Sequence, residues 1–179
     1  MTELSICPFE THALYLALDA RRTELGLSWT GVANQIWEMS SDLNDRRKDH
    51  PISPSTLTNM GKKPRTSCQH ALFMLRWLGR TPESFLRGSD SEDDSRFALP
   101  EAGPDRRLRW NLKLMYAAID EKRREQGLTW SALAATLGCS PNQLTALRNA
   151  KFATGMDVAM GIVQWLDRPA ADFVYPARW

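Results

Sequence analysis

Two short polar runs hold the side chains best suited to recognition chemistry: Ser-Pro-Ser-Thr-Leu-Thr-Asn at 53–59 and Ser-Pro-Asn-Gln-Leu-Thr-Ala at 140–146. Their hydroxyls and amides offer directed hydrogen-bond donors and acceptors, which read a surface rather than cleave one. In each run a serine followed by proline signals the start of a helix. The hydroxyl caps free backbone N–H groups, and proline at the first helical position gives up no needed donor. Leu57 and Met60, or Leu144 and Leu147, then fall three apart on one face, and the run that follows ends in Lys or Arg. A helix held by so narrow an apolar stripe presents its polar face outward. The partner it fits is the major groove of DNA, where amide side chains pair bidentately with adenine and a small methyl meets that of thymine.

Other chemistries have less to stand on. Cys7, Cys68 and Cys139 lack a close CxxC spacing, which predicts reduced, mostly buried thiols rather than disulfides or zinc ligands. His12, His50 and His70 lie far apart, and Cys68 with His70 is too little for a metal site. The chain has no Gly-rich phosphate loop, no convincing acid pair and no nucleophile beside a plausible base, so neither an enzyme nor a cofactor is expected. Asp19 and Asp120 are placed for salt bridges within helices. Trp29, Trp37, Trp77, Trp130 and Trp165 occupy core-facing helical positions and read as packing. No apolar run approaches the roughly eighteen residues of a membrane span, and no basic leader opens the chain; a cytoplasmic protein is expected.

The elements that must position the two polar runs form a unit written twice. Tyr15, Asp19, Arg22, Gly26, Leu27, Trp29 and Ala33 match Tyr116, Asp120, Arg123, Gly127, Leu128, Trp130 and Ala134 at one offset. Ser53, Pro54, Leu57 and Thr58 then match Ser140, Pro141, Leu144 and Thr145; later Thr66, Ala71, Trp77, Leu78, Arg80 and Phe85 match Thr154, Ala159, Trp165, Leu166, Arg168 and Phe173. Identities in order and at helical positions mark a tandem duplication. Each unit reads as a helical bundle. Its first helix spans about 9–25 or 105–126 and stops at Gly26 or Gly127. A second helix is capped by Ser28 or Thr129, the third is the polar run, and the fourth starts near Thr66 or Thr154. A last short turn ends in Phe85 or Phe173. Gly138 and Cys139 join the second and third helices of the second unit directly. The first unit has fourteen extra residues there, and Ile36, Met39 and Leu43 extend the helical pattern, predicting a second helix that continues to about Asp45. The domains expected are 1–88, with an insert at about 38–52, and 105–179. An acidic, exposed linker at 89–104 joins them.

Charge follows this division. Net charge is +2 overall, but residues 13–88 carry 11 basic and 7 acidic side chains, residues 89–105 carry 1 and 6, and residues 106–179 carry 11 and 6. Two mildly basic bodies flanking an acidic connector are compatible with phosphate binding without demanding it.

Gly-Leu-Thr-Trp-Ser-Ala-Leu-Ala-Ala-Thr-Leu-Gly-Cys-Ser-Pro-Asn-Gln-Leu at 127–144 and Trp-Leu-Asp-Arg-Pro-Ala-Ala-Asp-Phe at 165–173 resemble the phage-repressor, or Cro/XRE-type, helix-turn-helix regulators of bacteria and phage. Residues 26–29, 53–58 and 77–86 are similar to the same family. The resemblance implies an all-α fold of two tandem lambda-repressor-like bundles, with the helix after the turn entering the major groove. It departs from the family where Gly31 and Ala132 stand in place of a capping-box Glu. It departs again where Gly61-Lys62-Lys63 and Arg148-Asn149-Ala150 replace the usual Glu-x-Gly.

Carried over residue by residue, the pattern makes Ser55, Thr56, Asn59, Asn142, Gln143 and Ala146 base-reading positions. Ser28, Thr129, Lys62, Lys63, Arg65, Arg148, Asn149 and Lys151 become phosphate contacts. Gln143, three residues after Ser140, can instead complete a capping box, and Asn142 shares that turn. The cations also suit helix C-termini, while Arg46, Arg47 and Lys48 read as a solvated loop. The partners expected are double-stranded DNA, with a second copy of the chain or the transcription machinery as further candidates. A protein-interaction adaptor of the antitoxin or antiactivator kind is the alternative function.

Overall fold

The computed structural model describes residues 4–46, 48–89, 95–150 and 154–179. The fold is mostly helical. In the first half come α1 (Thr11–Glu24), α2 (Trp29–Glu38), α3 (Pro54–Lys62) and α4 (Cys68–Leu78). In the second half, strand β1 (Arg107–Trp110) precedes α5 (Leu112–Glu125), α6 (Trp130–Leu137), α7 (Pro141–Thr145) and α8 (Met156–Leu166), and strand β2 (Val174–Ala177) ends the half. Each half also has a 3-10 turn after its fourth helix, Pro82–Phe85 or Ala170–Phe173, that buries its phenylalanine. Among the described residues, no helix is long and apolar enough to cross a membrane.

The duplication is visible in contacts as well as in sequence. Gly26 and Gly127 both sit at φ +64°, the left-handed turn that glycine adopts without strain. Beyond each turn the chain is pinned back by one arginine. Arg22 Nη1 donates to Leu27 O at 2.8 Å, pairs with Asp19 at 2.6 Å and lies over the Trp29 ring, itself stacked on Tyr15. Arg123 repeats every one of these contacts with Leu128, Asp120, Trp130 and Tyr116. Such an arginine joins a cation–π contact, worth about 0.5–2 kcal/mol, to a capped helix end. Both aspartates therefore serve the salt bridges expected of them.

Three expectations are corrected. The all-α class gains a small antiparallel sheet, β1 against β2, with Trp110 opposite Val174 and Arg107 opposite Ala177. Its counterpart in the first half is a lone bridge, Phe9 opposite Leu86. Four residues are too few to carry a strand period, and Asn111, whose side chain accepts from Leu114 N, delays the start of α5 to Leu112 rather than about 105. Second, α2 ends at Glu38, short of Asp45. Ser40, 3% exposed, donates to Arg106 O at 2.7 Å, and Arg76 donates to Met39 O and Ser40 Oγ. These bonds draw the chain out of the helix, and Leu43 reaches the core from a 3-10 turn instead. Third, only Cys68 is fully buried, with its thiol pushed up to about 12 by burial; Cys7 and Cys139 are half-buried, and all three are free.

The buried side chains of both halves form one continuous cluster, in which α4 and α8 are the most enclosed helices. At their N-termini Cys68 N donates to Thr154 O at 2.7 Å and Met156 N to Thr66 O at 3.0 Å. Gln69 Nε2 donates to Leu108 O, Trp110 Nε1 to Cys68 O, and Gln164 holds both backbone groups of Cys7. Of the connector expected to be exposed, residues 95–104 are held in part: Arg76 donates to Ala102 O and Gly103 O, and Leu99 and Ala102 pack on the core.

Glu83, 6% exposed, also crosses between halves. Its Oε1 accepts from Ala170 N at 2.7 Å, while Oε2 is buried with no hydrogen-bond partner among the described residues. Burial holds this carboxyl above its usual range. An acid whose pKa is raised by folding binds more protons in the native state, so stability falls as pH rises from the ordinary carboxylate range through the folded pKa. Glu83→Gln keeps the acceptor and removes the buried charge. In urea unfolding between about pH 4 and pH 7 the variant should therefore lose less stability than the parent as pH rises; parallel profiles would refute the assignment.

Candidate nucleic-acid interface

The third helix of each half begins as its serine and proline require. Ser53 Oγ accepts from Thr56 N at 3.2 Å, with Pro54 in the first turn, and Leu57 and Met60 are buried to 0% and 1% exposure. The opposite side of α3 presents Ser55 and Asn59, both exposed and one helical turn apart. Ser55 Oγ and Thr56 Oγ1 each lie 2.9 Å from Ser53 Oγ, so both hydroxyls belong to one small network. Asn59 carries the one side-chain amide on that face. Gly61 then lets α3 approach α1: a Cβ there would come within 2.8 Å of the Tyr15 ring. Glycine at this position thus has a packing cause. Lys62, Lys63 and Arg65 follow, all exposed.

In the second half the same design is shorter. Ser140 Oγ accepts from Gln143 N, and Gln143 Oε1 accepts from Ser140 N at 2.8 Å, a reciprocal capping box. The side-chain carbonyl of Gln143 is thereby engaged, and its amide NH2 remains for another partner. α7 runs only five residues before tightening into a 3-10 turn, Ala146–Arg148, that keeps Leu144 and Leu147 buried. Asn142, Arg148 and Asn149 are exposed and Ala146 is half-buried; Lys151 lies outside the described residues, as does Arg47. Ser28 Oγ accepts from Gly31 N and Thr129 Oγ1 from Ala132 N, each at 3.1 Å, so both cap their helices while the hydroxyl proton stays free to donate. Arg46 and Lys48 are exposed, as expected of a solvated loop.

One arrangement is illegible in the sequence. Thr56 of α3 and Gln143 of α7 line the same cleft, together with Arg65, Thr66, Ser67 and His70 on one side and Gly155 and Asp157 on the other. Burial lowers the pKa of His70, favouring the neutral ring, so the cleft's positive charge comes from Arg65. The duplicated Thr66 and Thr154 were the only signal in this region; nothing in the order of residues indicates that the two halves meet there.

Ser53→Ala should lower stability by about 1 kcal/mol in thermal unfolding, while Ser53→Asp, also a good N-cap, should keep most of it. Equal loss in both variants would mean that the hydroxyl network, rather than the cap, holds α3. Comparison with protein-family models, curated proteins and solved structures gives no match to this chain.

Proposed function

We propose that the chain is a sequence-specific double-stranded DNA-binding transcriptional regulator of the Cro/XRE-like kind, carrying two tandem helix-turn-helix units and working in the cytoplasm of a bacterium or as a phage product. One observation carries the reading. Twice in one molecule, a Ser-Pro-capped helix buries only two side chains and turns hydroxyls and amides outward, packed against the capped α-helix that precedes it. In this reading Ser55, Thr56 and Asn59 meet base edges from α3, and Asn142, Gln143 and Ala146 meet them from α7. Lys62, Lys63, Arg65 and Arg148, with Asn149 and the Ser28 and Thr129 hydroxyls, meet phosphates and fix register.

A second reading draws on the second half. There Gln143 is engaged in its cap, α7 is short, and Asp157 places a carboxylate in the cleft. Those features suit an adaptor that binds protein rather than phosphate.

Salt separates the two. Neutralising several phosphates releases counterions, so log affinity for duplex DNA should fall linearly with log salt, by about 0.9 per contact. Tight duplex binding with no salt slope would contradict the phosphate contacts, and the absence of duplex binding at low salt would favour the adaptor. Lys62→Ala with Lys63→Ala should weaken binding to all sequences alike. Asn59→Ala should instead lose roughly 1–3 kcal/mol at one base pair and blur preference there. An unchanged base preference in the Asn59 variant removes α3 from the groove.

A further inference from the structure

The bonds between the halves obey an exchange rule. Thr66 and Thr154, Ser67 and Gly155, and Cys68 and Met156 are matched positions of the internal repeat. Swapping the halves therefore converts the bond from Cys68 N to Thr154 O into the bond from Met156 N to Thr66 O, and returns the Ser67–Gly155 bridge to itself. That is the property of an isologous contact, the kind two copies of one chain make about a two-fold axis. A head-to-tail contact would instead join unmatched positions.

Away from the bridge the correspondence holds between elements rather than residue by residue, since the offset of the first helices pairs Cys7 with Leu108 and Ile6 with Arg107. Arg76 and Gln164 are matched, and each reaches the lead-in to the other half's first helix. Arg76 Nη1 donates to Arg106 O at 3.1 Å, and Gln164 Nε2 donates to Cys7 O at 3.0 Å. Phe73 and Gly161 are matched too: the Arg109 guanidinium lies over the Phe73 ring, and Ile6 lies within 3.9 Å of a Cβ built at Gly161. On either side of this axis stand α3 and α7, whose matched third residues, Thr56 and Gln143, line one cleft with Ser67 and Gly155.

We infer that a single chain is a built-in dimer that reads two half-sites in inverted orientation, unlike in sequence, with no second copy needed. The inference rests on the DNA reading of α3 and α7 proposed above and adds the geometry of the target. In two-fold dimers the symmetry of the target mirrors that of the protein. Here the backbone arrangement is two-fold and the reading residues are not: Ser55, Thr56 and Asn59 face one half-site, Asn142, Gln143 and Ala146 the other. The site is palindromic in polarity but not in bases, which gives the bound molecule a defined direction along the DNA.

The test makes the two faces alike. The full chain is first used to select duplexes from a random library, with the number of chains per duplex measured by native mass spectrometry. Selection is then repeated with Asn142→Ser, Gln143→Thr and Ala146→Asn combined, which places the α3 reading residues on α7. The reciprocal variant, Ser55→Asn, Thr56→Gln and Asn59→Ala, guards against a failure of either to fold, which circular dichroism checks. The expected result is one chain on a two-part site for the parent and a true inverted repeat for the variants. Reversing one element of the parent site in place should weaken binding about tenfold or more. Direct repeats from the variants, a single element, or two chains per site overturn the inference while leaving DNA binding intact. If the parent enriches no duplex, the DNA reading falls and this inference falls with it.

Discussion

Two backbone hydrogen bonds at the starts of α4 and α8, Cys68 N to Thr154 O and Met156 N to Thr66 O, set the constraint on which the rest of the molecule depends. The first amides of a helix have no partner inside it. Pairing each with a carbonyl just ahead of the other helix satisfies donors that would otherwise need water, and it brings the apolar faces of the two helices together. Leu72, Met74 and Leu75 on α4 and Ala159, Met160 and Ile162 on α8 are all fully enclosed as a result. A single half of this size buries a smaller share of its surface than a larger domain does. Sharing one core across α4 and α8 offsets that deficit.

With the seam fixed, the segments that differ between halves acquire a use. The extra residues between α2 and α3 do not lengthen a helix; they brace the junction with the second half. Ser40 and Asp42 bond the backbone of Arg106 and Pro104, and Asp49 pairs with Arg107, whose side chain is 2% exposed. Burying a guanidinium is costly unless its donors are met, so this insert is best understood as structure that lets β1 cross the first half. In the second half, where Gly138 and Cys139 join α6 to α7 without an insert, the described lead-in to α1 is held by Gln164 at Cys7 instead.

The outer faces have diverged more than the frames that carry them. Each frame keeps its arginine, tryptophan, tyrosine and aspartate clamp, its left-handed glycine and its capped third helix. At the outward positions of the third helices, Ser55, Thr56 and Asn59 match Asn142, Gln143 and Ala146, and no pair is alike. Packing constrains the first set through many simultaneous contacts, whereas an exposed side chain answers only to whatever it touches. A duplicated scaffold with unlike faces is suited to a target with two unlike parts.

The sequence by itself determined the duplication, the number and order of the principal helices, their caps at Ser28, Ser53, Thr129 and Ser140, and the apolar pairs Leu57 with Met60 and Leu144 with Leu147. Those features are local: a cap, a glycine turn or a helical period is written within one or two turns of chain. The capping box at Gln143 was legible as one of two uses for that side chain, and geometry chose between them. Only the tertiary structure decided that β1 and β2 pair, that α2 ends at Glu38, and that matched residues of the two halves meet ahead of α4 and α8. Each of these rests on bonds between residues far apart in the chain, such as Trp110 with Val174, Ser40 with Arg106 and Ser67 with Gly155. A backbone amide has the same chemistry wherever it stands, so no order of side chains announces which distant carbonyl it will meet.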